Sequence, residues 1–357
     1  MTAFSLNWPK AYRPLMCEGH PVSADYRELA QDFQVTELTN RRLHDEGPHW
    51  YLYIEKTGMN THWLARQLAN HAQVPLNDVG YAGLKDRHAV TRQWFSLPLK
   101  GNKLPDLSAL WAKEDCRLIR SGFYGVKLKR GNLGGNRFKI TLRQVRGDQD
   151  VIDQRLNIIK ANGVPNYFGE QRFGRDGENL IQATKLFETG KRPRNRQKAS
   201  MYVSAARSYL FNQMLARRVE SQTWDKPIVG EVFGFEGSLR GFKQECTSEE
   251  QQRWRLQKIH PTCAMWGRGE ALSVDELLGL EQNIAEQHSV FRDGIEKMGI
   301  KQERRVTRLL IPDLWWRWTD QTTLVLEFSL PSGYFATSLL REIGEIRDSS
   351  QSGPQED

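Results

Sequence analysis

Hydrophobic and polar positions alternate most cleanly at 137–143. Phe138, Ile140 and Leu142 fall on one face there, with Lys139, Thr141 and Arg143 on the other, predicting a half-buried strand with a basic outer face. The same period of two recurs at 50–55 (Trp-Tyr-Leu-Tyr-Ile-Glu) and at 323–330, where Leu324, Leu326, Phe328 and Leu330 share a face. The stretch from Val79 to Leu97 reads as strand, loop and strand, with a charged loop at 85–88. Helical spacing takes over elsewhere. Asn60-Thr61 offers a cap for a helix that carries Trp63, Leu64 and Leu68 on one side. Val151, Ile152, Leu156 and Ile159 predict a helix over 149–160, ended by Gly163-Val-Pro165. Val203, Ala206, Leu210 and Met214 predict a long one over 202–220. Before it, the basic run Lys191-Arg-Pro-Arg-Asn-Arg-Gln-Lys198 contains a proline that keeps it out of a helix. A turn at Pro331-Ser-Gly333 leads into a short helix, and the polar tail from Asp348 reads as disordered. Strands thus sit in the first 145 residues and again after 320, with a mostly helical segment between. That order suggests a sheet domain interrupted by an insertion and completed by a C-terminal strand.

With 357 residues, of which 39% are hydrophobic and 10% aromatic, the chain can bury a substantial core and fits two domains. No apolar run approaches the length needed to span a bilayer, and the first residues lack the pattern of a signal peptide, so a cytoplasmic protein with no membrane partner is expected. Cys17, Cys116, Cys246 and Cys263 are scattered and form no CxxC pair, which excludes a zinc site or disulfide framework built on them. A net charge of +8 favours a phosphate-bearing partner without naming it.

Candidate chemistry is densest at 79–95. Gly80, Ala82 and Gly83 bring the backbone close to something, and Lys85, Asp86, Arg87 and His88 project from the loop that follows. An aspartate flanked by two cations suits nucleophilic work better than proton donation, although a solvated charged turn has the same composition. Walker, GxGxxG, HExxH and GxSxG motifs are missing, so no nucleotide cofactor and no metal is expected. Gly131-Asn-Leu-Gly-Gly135 has the composition of a phosphate cradle, but a Gly-rich loop before a strand is more often an ordinary turn. Around it lie Lys127, Lys129, Arg130, Arg137, Lys139 and Arg143, and the 191–198 run adds a second basic cluster. Clusters of this kind neutralise phosphates, and Phe33, Phe138 and Phe335 are candidate platforms for unstacked bases. Each phenylalanine alone is better explained as core. A non-catalytic RNA-binding module fits the basic clusters equally, but such a module gains nothing from an anion in its groove. A metal-dependent nuclease needs several clustered carboxylates, and this loop has only Asp86.

Several of these segments together resemble the TruD family of pseudouridine synthases. Gly83-Leu-Lys-Asp-Arg-His-Ala-Val-Thr91 is similar to the family's catalytic motif, and Asn166-Tyr-Phe-Gly-Glu-Gln-Arg-Phe-Gly174 to its signature. Ser204-Ala-Ala-Arg-Ser208 with Phe211-Asn-Gln213 resembles the helix after that signature. Asp32-Phe-Gln-Val-x-Glu37, Gly135-Asn-Arg-Phe138 and Phe335-Ala-Thr-Ser338 complete the set. The resemblance implies an α+β fold: a pseudouridine synthase catalytic domain with a mixed, mainly antiparallel sheet, over 1–159 and 312–345, and an inserted, mainly helical α+β domain over 160–311. It leaves 346–357 as the disordered tail. It implies conversion of a uridine in tRNA, by the family's habit uridine 13, to pseudouridine by base flipping and without a cofactor. Asp86 takes the nucleophile's place. Phe33, Asn136 and Phe335 fall at substrate-nucleotide contacts, Phe138 at the aromatic against the target base, and Arg27 at a basic position able to pair with the catalytic carboxylate, with Lys85 and Arg87 as further support. Two departures stand out: Cys263-Ala264 where the family has Gly-Pro, and Tyr334 where a small polar residue is common.

Overall fold

A computed structural model of the chain describes residues 4–12, 21–39, 41–99, 104–112, 115–129, 131, 134–238, 240–243 and 247–351. These gather into two compact units. A sheet unit runs from 21 to 152 and takes in 311–332 and 344–351; a helical unit holds 4–12, 153–310 and 333–343. The expected division put 1–159 and 312–345 together; here 4–12, 153–159 and 333–343 group with the helical unit instead.

The sheet unit is built on ten strands: β1 (Ser23–Tyr26), β2 (Phe33–Leu38), β3 (His49–Thr57), β4 (Gly80–Tyr81), β5 (Val90–Pro98), β6 (Cys116–Tyr124), β7 (Gly135–Arg146), β8 (Trp315–Trp318), β9 (Leu324–Leu330) and β10 (Glu345–Asp348). They run in the order β8-β9-β7-β2-β5-β3-β6, with β4 on β5, and β1 pairing with β7 and β10. Only β2 with β5 and β1 with β10 are parallel. The alternation read at 137–143 is realised: Phe138, Ile140 and Leu142 are buried, while Lys139, Thr141 and Arg143 are half-buried. The chain after 345 departs from the expected disorder. Glu345–Asp348 pairs with β1, and the Arg347 guanidinium makes a two-point ion pair with Asp25, at 2.7 and 3.0 Å. The remainder of the expected tail, 352–357, lies outside the described residues.

Helix α1 (Thr61–His71) starts where Asn60 was read as its cap, the Asn60 Oδ1 accepting the amide protons of His62 and Trp63. Leu64, Ala65, Leu68 and Ala69 pack into a core with Leu52, Ile54, Phe95 and Leu97. Trp63 does not follow Leu64 and Leu68 inward; it is 38% exposed. Successive helical positions sit 100° apart, so Trp63 is turned away from the face that Leu64 and Leu68 bury.

In the helical unit, α2 (Gln149–Asn162, belonging to this unit from 153), α3 (Glu178–Thr189), α4 (Arg196–Glu220), α5 (Asp275–Gln287), α6 (Ser289–Lys297) and α7 (Ala336–Ile343) accompany a four-stranded antiparallel sheet. Gly163 ends α2 at φ +76°, and a Cβ there would collide with the Leu309 carbonyl, so only glycine makes the turn. α4 begins earlier than its predicted 202, because Asn195 caps it by accepting the Gln197 amide proton at 2.8 Å. Its Val203, Ala206, Leu210 and Met214 lie buried in the unit's main core, as their spacing requires. The unusual Cys263-Ala264 pair sits in the strand His260–Met265, fully buried in the same core. Cys116 is also buried, whereas Cys17 and Cys246 lie outside the described residues. Among the described residues no helix is long and apolar enough to cross a membrane.

Candidate active site

The charged loop is held from beneath. The Lys85 amide donates to Thr61 Oγ1 at 3.0 Å, the Thr61 hydroxyl donates to Gln93 Oε1 at 2.9 Å, and Gln93 Nε2 donates to the Gly83 carbonyl at 3.3 Å. Thr61 and Gln93 are both buried, so a helix N-terminus and a central strand fix the backbone on which Asp86 is carried. Gly80 meets the expectation of close approach, since a Cβ would strike Ser96 and Leu128; Gly83 does not, having open space where its Cβ would be.

Asp86 presents a carboxylate 37% exposed, with Oδ2 held 3.1 Å from Arg27 Nη2. Arg27 itself is buried and adopts the left-handed backbone at φ +61°, a conformation that costs a non-glycine residue energy and persists only where the surroundings demand it. Three contacts supply that demand. The guanidinium carbon lies 3.9 Å from the centroid of the Phe33 ring, Nη1 donates to Asp348 Oδ2 at 2.8 Å, and the Tyr26 hydroxyl donates to the same oxygen at 3.0 Å. Burial pushes the Tyr26 phenol well above its ordinary range, so it remains a donor. Asp348 is therefore part of the site, in a segment whose sequence read as tail.

The other two cations expected around Asp86 behave differently. The Lys85 ammonium, almost fully buried, sits 3.7 Å from Glu37 Oε2; Arg87 is exposed. Burial lowers the Lys85 pKa and raises that of Glu37, each opposed by its partner's charge. Lys56, completely buried on β3, is a further cation that the sequence did not single out. Burial lowers its pKa to about 8, with the nearby Asp86 charge acting against the shift and Lys85 with it.

Phe33 and Phe138 meet edge to face at 6.1 Å, and Phe138 stacks on Phe328 at 5.3 Å. Phe138 is only 7% exposed, so it is packed as core on at least one face. Asn136 stands opposite Glu37 across β7 and β2, and its side-chain oxygen is buried without a hydrogen-bond donor among the described residues. A buried orphan acceptor is a group waiting for a donor. Phe335 belongs to the helical unit, where its ring lies edge-on to Phe168 at 6.1 Å. The basic outer face of β7 is largely neutralised: Arg137 and Lys139 pair with Glu327, and Arg143 with Asp32. Arg130 and residues 132–133 lie outside the described residues. The 191–198 run straddles the start of α4 and stays exposed, with Arg192, Arg194 and Arg196 lining an open pocket of about 850 Å³ together with Arg207. Among the described residues no three His, Cys, Asp or Glu side chains are gathered as a metal ion needs.

The sequence profile of the family tRNA pseudouridine synthase D (TruD) matches this chain over residues 12–182 and 177–343. The chain belongs to the TruD family. A tRNA pseudouridine synthase D of Methylococcus capsulatus is 44% identical over 339 residues, covering 95% of this chain and 94% of its own. That of Hydrogenovibrio crunogenus is 42% identical over 316 residues, covering 88% and 91%. A crystal structure from Methanosarcina mazei, of a protein assigned to TruD, has the same fold at TM-score 0.69 with 21% identity, covering 95% of this chain and 98% of that one. The α+β class with its mixed sheet is therefore the TruD fold.

Proposed function

We propose that the protein converts uridine 13 of tRNA to pseudouridine, with Asp86 as the catalytic residue. Membership of the family carries the activity: this is a tRNA pseudouridine synthase. The choice of Asp86 is supported by a single observation. It is a partly exposed carboxylate whose geometry is set by a buried, strained arginine, on a loop pinned by buried hydrogen bonds. Surface charged turns are not built this way.

The reaction breaks the N1–C1′ bond and forms a C5–C1′ bond; C5 gives up a proton and N1 gains one. Oxidation state is unchanged and no atom is supplied from outside, so its balance requires no cofactor. An accessible carboxylate can serve it by attacking C1′ or C6, or by removing the 2′ proton. Extruding the base costs a few kcal/mol, which replacement stacking and hydrogen bonds must offset. Phe33 and Phe138, in the same unit as Asp86, are the candidate rings, and the orphan oxygen of Asn136 is a ready acceptor for a uracil or ribose donor. Arg27 positions Asp86, with Asp348 and Tyr26 positioning Arg27. Lys85 and Arg87 act through charge alone.

The test is Asp86→Asn. Carbodiimide labelling with primer extension, which tells pseudouridine from its equal-mass isomer, should show uridine at position 13 of tRNA from cells lacking the protein, and complementation with the wild-type chain should restore pseudouridine. The Asn variant should fold and bind tRNA yet lose turnover by several orders of magnitude. Turnover within tenfold of wild type would sink the assignment of Asp86, and an unchanged position 13 would sink the choice of target.

A further inference from the structure

The signature segment 166–174 and α4 together build one feature of the helical unit. Asn212 clamps the Phe168 backbone from both sides, accepting its amide proton and donating to its carbonyl, each at 2.9 Å. Two guanidiniums then gather on the Phe168 ring, Arg305 at 4.2 Å from the centroid and Arg172 at 5.5 Å. Arg305 is 7% exposed; its Nη2 donates to Asn166 Oδ1 at 2.7 Å and to the Gly333 carbonyl at 3.2 Å, and its buried Nε has no acceptor among the described residues. Arg172 is half-buried and donates only to hydroxyls, Ser208 Oγ at 3.2 Å and Ser204 Oγ at 2.6 Å. Among the described residues neither has a carboxylate within ion-pair distance.

Two other buried arginines of this unit are matched with acids. Arg218 pairs with Glu231 and Arg304 with Glu281, each at 2.8 Å and almost wholly buried. Two neighbouring cations withdrawn from water without a counter-ion are expensive, and burial together with their mutual repulsion lowers the Arg305 pKa to about 10. Their neutral partners orient the forks and leave the charge uncancelled. Such a pair leaves an uncancelled charge that suits an anion.

We propose that Arg172 and Arg305 form a binding site for a backbone phosphate of the RNA substrate, beside the Phe168–Phe335 ring pair. Guanidinium forks match phosphate oxygens in geometry as well as charge, and a ring beside them suits the base or ribose of the same nucleotide. Arg172 is the accessible member and reaches the phosphate, while Arg305 adds its charge from beneath. The inference rests on the RNA-modifying reading and adds a site to it.

The primary test is Arg172→Gln, with Arg172→Lys as the charge-keeping control, assayed for tRNA binding over a range of salt and for KM and kcat. The Gln variant should bind tRNA about tenfold or more weakly. Its plot of log affinity against log salt should flatten by roughly 0.7–0.9, the loss of one phosphate contact, and KM should rise more than kcat falls. The Lys variant should keep the wild-type slope. A folded Arg172→Gln protein with wild-type affinity and slope overturns the site while leaving the enzyme's function intact. Failure of the wild-type chain to bind or modify tRNA instead removes the functional reading itself. Should the Gln variant fold poorly, inorganic phosphate is titrated into the wild-type chain at constant ionic strength. It should raise the melting temperature saturably and compete with tRNA, and the absence of any saturable effect overturns the proposal.

Discussion

Lys56 offers a test of the site's electrostatics in which sign and size both follow from its surroundings. It lies on β3 opposite Thr91 and Cys116, is 0% exposed, and its ammonium donates to the Met59 carbonyl. Its pKa falls from 10.5 to about 8, chiefly through burial. Below about pH 8 the lysine is charged in both the folded and the unfolded chain, and the cost of burying it is constant. Between about 8 and 10.5 the unfolded chain holds the proton and the folded chain has released it, so stability rises with pH. Each pH unit fully inside that window adds about 1.4 kcal/mol, for a total of about 3 kcal/mol. Lys56→Met fills nearly the same volume and removes the titration. At pH 7 it should be more stable than wild type by up to about 2 kcal/mol, the buried-charge cost less about 1 kcal/mol for the lost hydrogen bond. The gap should close and reverse as pH approaches 10.5. Urea denaturation of both proteins at pH 7, 8, 9 and 10.5 measures it, and subtraction cancels every other titrating group. Turnover should move the opposite way, falling in the Met variant and, in wild type, as pH rises through about 8, because a positive charge near Asp86 is lost. A wild-type-minus-variant difference that stays flat from pH 7 to 10.5 would refute the reasoning.

The remaining tests concern stacking and the exposed basic run. Phe138→Ala should lower stability by about 3–5 kcal/mol, since Phe138 is packed against Phe33 and Phe328 and only 7% exposed. Phe138→Leu should cost less than about 2 kcal/mol, so its turnover separates packing from base stacking; wild-type turnover in the Leu variant would remove the stacking role. Joint replacement of Arg192, Arg194 and Arg196 by Gln should weaken tRNA affinity and flatten its salt dependence without changing the melting temperature, as all three are exposed. An unchanged salt slope would return the run to a solvated surface.

Much of the fold was legible because burial imposes a period on the sequence. β7 and β9 must turn alternate residues inward, and α4 must bury every third or fourth, so Ile140, Leu326 and Leu210 announce themselves. β10 does not. Glu345–Asp348 carries one aliphatic residue among three charged ones and is stabilised by backbone pairing with β1 and by the Arg347–Asp25 ion pair. Composition cannot distinguish such an edge strand from a disordered tail. The site was legible in the same uneven way. Asp86 stood out only through the resemblance of its motif, because a charged loop and a solvated turn have the same letters. What distinguishes them is Arg27 and Asp348, brought to Asp86 by sheet register rather than by nearness in sequence. Lys56 was hidden for a related reason: a lysine at a strand end is ordinarily exposed, and here the segment after β3 turns back so that the Met59 carbonyl accepts from its ammonium.

Compensation separates the cations of this protein into those that hold and those that bind. In the sheet unit Arg27 is shared between Asp86 and Asp348, Lys85 faces Glu37, Arg143 is locked on Asp32, and Arg137 and Lys139 share Glu327. A cation already paired inside the protein gains little from a phosphate, since the partner it has must be displaced or left unpaired. These residues therefore suit the task of fixing a carboxylate in place, and the basic face of β7, for all its charge in the sequence, is a poor candidate for gripping RNA. In the helical unit the same logic runs the other way. Arg218 and Arg304 are matched with buried acids and act as structural pins, whereas Arg172 and Arg305 are matched only with hydroxyl, amide and carbonyl groups. Counting Lys and Arg finds all of these equally. Of these, Arg172 and Arg305 lack an acid among the described residues, and both lie against one aromatic ring, Phe168 of the signature segment.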